Sequence, residues 1–160
     1  MGQLRRQGSI VGIAVLAALV LGLWAGGVSS AAPSAHVAKR KSLHMTDTAR
    51  LHLVRKSGNT LYEKGTATGT LPGTVSARFV TSATKVTGTV TFHSSGGGSI
   101  TMTAVGYPQS AGTIARFSGN LAVRSGTGRF KNALGSGTFT GTANRRTWAV
   151  TVNASANLTY

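Results

Sequence analysis

The chain contains no cysteine and only two acidic residues, Asp47 and Glu63, among its 160 residues. Without cysteine, a disulfide framework, a thiolate metal site and a cysteine nucleophile are excluded. The scarcity of carboxylates leaves a Ser-His-Asp triad without an acid to orient its histidine. No His-x-His or His-Glu-x-x-His spacing occurs, and no glycine-rich phosphate loop is complete, so we predict neither a metal nor a cofactor.

Long apolar runs are also lacking, except at the N-terminus. There Arg5 and Arg6 precede an apolar run over residues 10–28, which small residues follow at 29–32. This arrangement predicts a secretory signal that is cleaved near Ala31. Because the run is nearly long enough to span a bilayer, an uncleaved membrane anchor is the alternative. Either outcome places the rest of the chain outside the cytoplasm, as a secreted or extracytoplasmic protein.

Positive charge dominates what remains, since the whole chain carries 17 Lys and Arg residues and a formal net charge of +15. Residues 32–49 combine small residues with the basic cluster Lys39-Arg40-Lys41, and we interpret them as a flexible basic linker in which Asp47 is a turn residue. Such a charge favours partners that are polyanions, here an acidic polymer of the cell envelope. The alternative is that the charge serves solubility alone.

From residue 50 onward the sequence alternates between apolar and polar residues in short segments separated by glycine-rich turns. This pattern indicates strands rather than helices. Regular spacing of about eight such strands favours an antiparallel sandwich or a closed barrel. Small residues alternate with large ones on the apolar side, as the taper of a small closed barrel requires, so we predict an eight-stranded antiparallel β-barrel over residues 50–160. The expected strands are approximately 50–57, 61–70, 74–81, 85–94, 99–107, two within 114–143, and 146–154, with residues 157–160 as an extension of the last strand.

The alternation also predicts which side chains face the barrel interior. Five large apolar residues share the inward parity and are expected to line a lumen that accepts a hydrophobic ligand: Phe79, Phe92, Met102, Phe117 and Trp148. The alternative is that they fill the lumen completely. Glu63 has the same parity, so it is either a buried carboxyl with a raised pKa and a weak catalytic candidate, or a carboxylate paired with a cation at the mouth.

One hairpin resembles a known family. The segment Gly126-Thr127-Gly128-Arg129-Phe130-Lys131-Asn132-Ala133-Leu134-Gly135 resembles the G-[ST]-G-x-F-x-x-A-x-G signature of dirigent proteins and the equivalent hairpin of plant allene oxide cyclases. Gly98-Ser99-Ile100-Thr101 resembles the strand entry before it, and the resemblance covers about residues 98–141. It implies an eight-stranded barrel with an apolar lumen. It implies no activity, since Leu134 replaces the pocket arginine of dirigent proteins and no acid follows Glu63.

Three functions follow as expectations. The first is non-catalytic binding of a hydrophobic small molecule in the lumen; the second is adhesion to acidic envelope polymers; the third is an isomerase or cyclase of the allene oxide cyclase type that depends on Glu63. Arginines with outward parity lack interleaved aromatic residues, so a specific nucleic-acid reader is not predicted. The sequence leaves open whether the barrels associate into oligomers.

Overall fold

Eight antiparallel strands close into a barrel in the computed structural model, which describes residues 39–110 and 112–160. Each strand pairs with its neighbours in chain order, and the first strand closes the barrel by pairing with the last. The strands are β1 (Ser42–Ser57), β2 (Thr60–Gly69), β3 (Gly73–Thr81), β4 (Val86–Ser94), β5 (Ser99–Pro108), β6 (Ile114–Thr127), β7 (Leu134–Asn144) and β8 (Val150–Thr159). A short 3₁₀ turn, Gly128–Phe130, lies between β6 and β7. The predicted eight-stranded antiparallel barrel is thereby confirmed.

Small inward residues allow the aromatic rings to fit inside so narrow a barrel. Phe79 of β3 lies directly opposite Gly88 of β4, and Phe139 of β7 lies opposite Gly119 of β6. A Cβ atom at Gly88 would overlap the ring of Phe79, and one at Gly119 would overlap the backbone of the neighbouring strand β5. Glycine is therefore required at these places by close approach, while threonines cover much of the outer face.

The two ends of the barrel differ. One end carries the β2–β3, β4–β5 and β6–β7 turns, together with the start of β1 and the end of β8; we call it the closed end. The largest fully buried apolar side chains belong to this half: Met45, Ile100, Met102, Phe130 and Leu158. The ring of Phe130 packs edge-on against that of Tyr160, with 5.1 Å between ring centres. This end is therefore filled by a packed core.

The barrel begins earlier than the sequence predicted. Residues 42–49 form the first half of β1 and pair with β8 from Ser42↔Thr159 to Leu51↔Val150, so they are not part of a linker. Asp47, expected in a turn, lies within β1 and is buried. The polar residues of this segment weakened the alternation by which a strand is predicted from sequence. Closure of the barrel requires the strand nonetheless, because β1 must pair with both β2 and β8. The predicted signal and residues 32–38 lie outside the described residues.

The last strand begins later in the sequence than predicted. It spans Val150–Thr159, so the expected extension into the tail is confirmed but the expected start at 146 is wrong. Trp148 belongs to the β7–β8 turn, where it has a φ of 57°. Asn144 caps this turn: its side-chain oxygen accepts the backbone N–H of Arg146 at 2.9 Å, and its carbonyl accepts that of Trp148 at 2.6 Å. In the part of the chain described, no helix has the length and apolar character to cross a membrane.

Candidate functional site

A cavity of about 370 Å³ occupies the other half of the barrel. We call this half the open end; it carries the β1–β2, β3–β4, β5–β6 and β7–β8 turns. The cavity exists because several inward residues here are small, among them Ala104, Gly106, Ala115 and Ala143. The lumen is therefore not filled by its own side chains at this end.

Four of the five residues predicted to line the lumen do so: Phe79, Phe92, Phe117 and Trp148. Met102 points inward as its parity predicts, but it is fully buried in the core and does not line the cavity. The difference is one of height along the strand. Met102 lies near the closed-end start of β5, whereas Ala104, Gly106 and Pro108 further along the strand reach the cavity. Alternation predicts the face of a strand but not the depth at which a side chain lies.

The mouth of the cavity is basic. Arg116 of β6 and Arg145 of the β7–β8 turn both contribute to its lining. Trp148 lies beside them, and the ammonium of Lys56 is 4.5 Å from the centre of its ring. The sequence did not indicate that these cations belong to the lumen. Strand parity carries no information about Arg145, which lies in a turn, and it assigned Arg116 to the outer face.

Glu63 supplies the one carboxyl group of the cavity wall. It lies on β2 between Leu53 of β1 and Ala77 of β3, and only 1% of its surface is exposed. Among the described residues, neither of its carboxylate oxygens has a hydrogen-bond partner. Burial raises its pKa from 4.5 to about 7. Of the two sequence interpretations, the geometry corresponds to the buried carboxyl and not to a carboxylate paired at the mouth.

The chemistry available in the cavity follows from this arrangement. A carboxyl group with a pKa near neutrality can donate a hydrogen bond when protonated and accept one when ionised. His44, His52 and His93 are exposed on the outer face, so they do not assist Glu63. In the described ranges, no three His, Asp or Glu side chains come together as a metal site requires. The cavity therefore combines mainly apolar walls with one isolated carboxyl group, while Thr81, Ser82, Arg116 and Arg145 also contribute to its lining.

Asp47, the second buried carboxylate, has a different role. Its Oδ1 accepts the backbone N–H of Leu71 at 2.9 Å, which holds the β2–β3 turn at the closed end. Burial raises its pKa, and the backbone hydrogen bonds of Leu71 and Thr70 partly oppose that effect. It does not line the cavity, so we regard it as a structural group.

No protein-family model, curated protein or solved structure matches this chain. The geometry of the lumen and the distribution of charge are therefore the basis for assigning a function.

Charge is strictly divided between the inside and the outside of the barrel. Both acidic residues are buried, whereas every lysine and arginine in the described ranges is exposed. One group, here called the outer basic patch, lies on the outer face of β1, β2 and β3; its cations are Arg50, Arg55, Lys64 and Arg78. Of these, Arg55 and Arg78 lie opposite Tyr62. The guanidinium of Arg55 is 4.1 Å from the centre of the Tyr62 ring. A hydrogen bond from Arg78, together with the nearby positive charges, lowers the pKa of the Tyr62 phenol.

Proposed function

We propose that this protein binds a hydrophobic small molecule in the lumen of its barrel and does not catalyse a reaction. The single observation that carries the proposal is the open cavity of about 370 Å³ with aromatic and aliphatic walls. Ligand sites in proteins typically have volumes of roughly 300–1,000 Å³ and walls of this composition. The resemblance of residues 98–141 to dirigent proteins and allene oxide cyclases is consistent with such a site, and the predicted N-terminal signal supports a location outside the cytoplasm.

Binding is favoured over turnover by the isolation of Glu63. General acid–base catalysis normally uses a positioned acid and base, or one such group aided by a partner that sets its orientation. Among the described residues, no histidine and no second carboxyl group lines the cavity. A lone carboxyl with no hydrogen bond to hold it suits recognition better than proton transfer.

A neutral fluorescent probe tests the proposal. N-phenyl-1-naphthylamine fluoresces strongly in apolar surroundings, and its neutrality avoids attraction to the basic surface. We expect its emission to rise on titration with the protein and to saturate. The substitution Ala104→Phe, which places a ring in the cavity, should reduce the binding, whereas Ala149→Phe on the exposed turn should not.

A loss of probe binding counts as evidence only in a variant that still folds. Ala154→Leu provides a second way of reducing the cavity, and circular dichroism establishes that each variant retains its strands. Probe binding that is unchanged in both cavity variants would place the probe elsewhere, for example on the apolar N-terminal segment, and would reject the lumenal site.

A second function, adhesion to acidic polymers of the cell envelope, is supported by the division of charge. A surface that carries cations and no acidic side chain in its described part attracts polyanions through long-range electrostatics. We propose that the outer basic patch makes the main contact, because four cations are concentrated on three adjacent strands. Both functions are compatible, since one uses the inside of the barrel and the other its outside.

Heparin-agarose, a sulfated polysaccharide, serves as the probe for the second function. We expect the double variant Arg55→Ser/Arg78→Ser to elute at a lower salt concentration than the control Arg124→Ser/Lys131→Ser, which removes the same charge elsewhere. Equal elution of the two variants would reject the patch, and failure of the unaltered protein to be retained at low salt would reject the function.

A further inference from the structure

Glu63 lines the cavity, and both of its carboxyl oxygens are buried without a hydrogen-bond partner among the described residues. A buried polar group without a partner is destabilising, because it has lost its hydrogen bonds to water and has gained none in the protein. Nothing in the packing around Glu63 requires a carboxyl there, since Leu53 and Ala77 beside it are apolar. A group of this kind, in the wall of a ligand-sized cavity, gains a hydrogen bond when a polar atom of a ligand reaches it.

The surroundings of Glu63 decide which form of the carboxyl a ligand meets. The flanking strands β1 and β3 supply Leu53 and Ala77, and the walls further away are mainly apolar, with the hydroxyl residues Thr81 and Ser82 in addition. The charged groups of the cavity are Arg116 and Arg145, both at the mouth, and burial alone raises the pKa of Glu63 to about 7. Below neutral pH the carboxyl is therefore largely protonated and acts as a hydrogen-bond donor.

We propose that the lumenal ligand is a neutral, apolar molecule with a carbonyl group, whose oxygen accepts a hydrogen bond from the protonated carboxyl of Glu63. This inference rests on the proposed lumenal binding function and specifies the class of ligand.

Charge excludes the alternatives. A cationic ligand must pass Arg116, Arg145 and Lys56 at the mouth, in the field of a protein whose exposed charged side chains are all positive in the described ranges. An anionic group at the depth of Glu63 would lie beside a carboxyl in apolar surroundings, where burial of a charge is costly. A neutral acceptor avoids both penalties and satisfies the carboxyl O–H.

A matched pair of probes isolates the hydrogen bond. 2-Acetylnaphthalene carries a carbonyl group, and 2-ethylnaphthalene has nearly the same shape without it. Their affinities are measured by isothermal titration calorimetry on the full chain at pH 5.5 and 8.5. We expect the protein to prefer the ketone about two- to tenfold at pH 5.5, as one net hydrogen bond provides, and to lose this preference at pH 8.5.

Two substitutions at Glu63 test whether its carboxyl donates the hydrogen bond. Glu63→Gln retains a donor at every pH, so it should keep the preference for the ketone at both pH values. Glu63→Leu removes the donor and should lose the preference at both. The infrared carbonyl band of bound 2-acetylnaphthalene should lie at lower frequency in the protein at pH 5.5 and in Glu63→Gln than in Glu63→Leu, which reports the hydrogen bond independently of affinity.

The measurements distinguish a failure of the lumenal binding function from a failure of the role assigned to Glu63. If neither probe binds, the lumenal function itself is rejected. If both bind equally at pH 5.5, the lumen binds apolar molecules but the role of Glu63 is rejected. A cationic probe, 2-naphthylmethylamine, that binds more tightly than the ketone and loses affinity in Glu63→Gln would overturn the assignment in favour of a basic ligand.

Discussion

The isolated carboxyl of Glu63 should make the stability of the barrel depend on pH in a predictable direction. Its pKa is 4.5 in an ordinary environment and about 7 in the folded protein. The folded state therefore holds this proton more tightly than the unfolded state does. Linkage then requires the free energy of unfolding to be highest below pH 4.5 and to fall as the pH rises towards 7.

The size of the effect follows from the same values. One pKa unit corresponds to about 1.4 kcal/mol, so a rise from 4.5 to about 7 corresponds to roughly 3 kcal/mol. This is a large part of the stability of a typical domain, which is about 5–15 kcal/mol. Glu63→Gln has nearly the same shape and does not titrate, so it provides the reference. We expect the two proteins to be similarly stable at pH 4, and the variant to be more stable by about 3 kcal/mol at pH 8.

Urea unfolding followed by circular dichroism at intervals from pH 4 to 8 measures this difference. The other ionisable groups are the same in both proteins, so their contributions cancel in the comparison. If the free energies of unfolding of the two proteins remain parallel over this range, Glu63 is ionised at no cost, and the argument that its surroundings are dry and apolar is refuted.

Three further predictions concern the packing that surrounds the site, each measured as the free energy of urea unfolding. Gly88→Ala should destabilise the barrel by about 1–3 kcal/mol, because its methyl group overlaps the ring of Phe79; no loss would contradict the close approach. Asp47→Ala should cost about 1–3 kcal/mol by leaving the N–H of Leu71 without an acceptor, and Asp47→Asn should cost less. Phe130→Ala should cost about 3–5 kcal/mol, since this ring is buried at the closed end; a loss below 1 kcal/mol would contradict that packing.

Much of the barrel could be predicted from alternation alone. Strands β2 to β5 lie within two residues of their predicted bounds, because glycine, proline and serine mark the turns between them. The bounds of the first and last strands were predicted less well. The first half of β1 contains Asp47 and several hydroxyl residues, and only pairing with β8, which is remote in sequence, makes it a strand. Trp148 extended the alternation of β8 into what is in fact a turn.

The site was predicted in part for the same reason. Parity placed Phe79, Phe92 and Phe117 inside, and it also placed Glu63 there. Whether a lumen is open depends on the combined volume of side chains from all eight strands, which no single strand reveals. The register between strands determines the height of each residue, which is why Met102 fell in the core below the cavity.

The claim that the lumen binds a neutral carbonyl compound at Glu63 is tested most directly by a crystal structure of the protein crystallised with saturating 2-acetylnaphthalene. The account predicts density for the probe inside the open end of the barrel, with its carbonyl oxygen about 2.5–3.0 Å from a carboxyl oxygen of Glu63. A lumen in which the side chains of Phe79 and Phe117 have closed the cavity, with no probe inside, would contradict it.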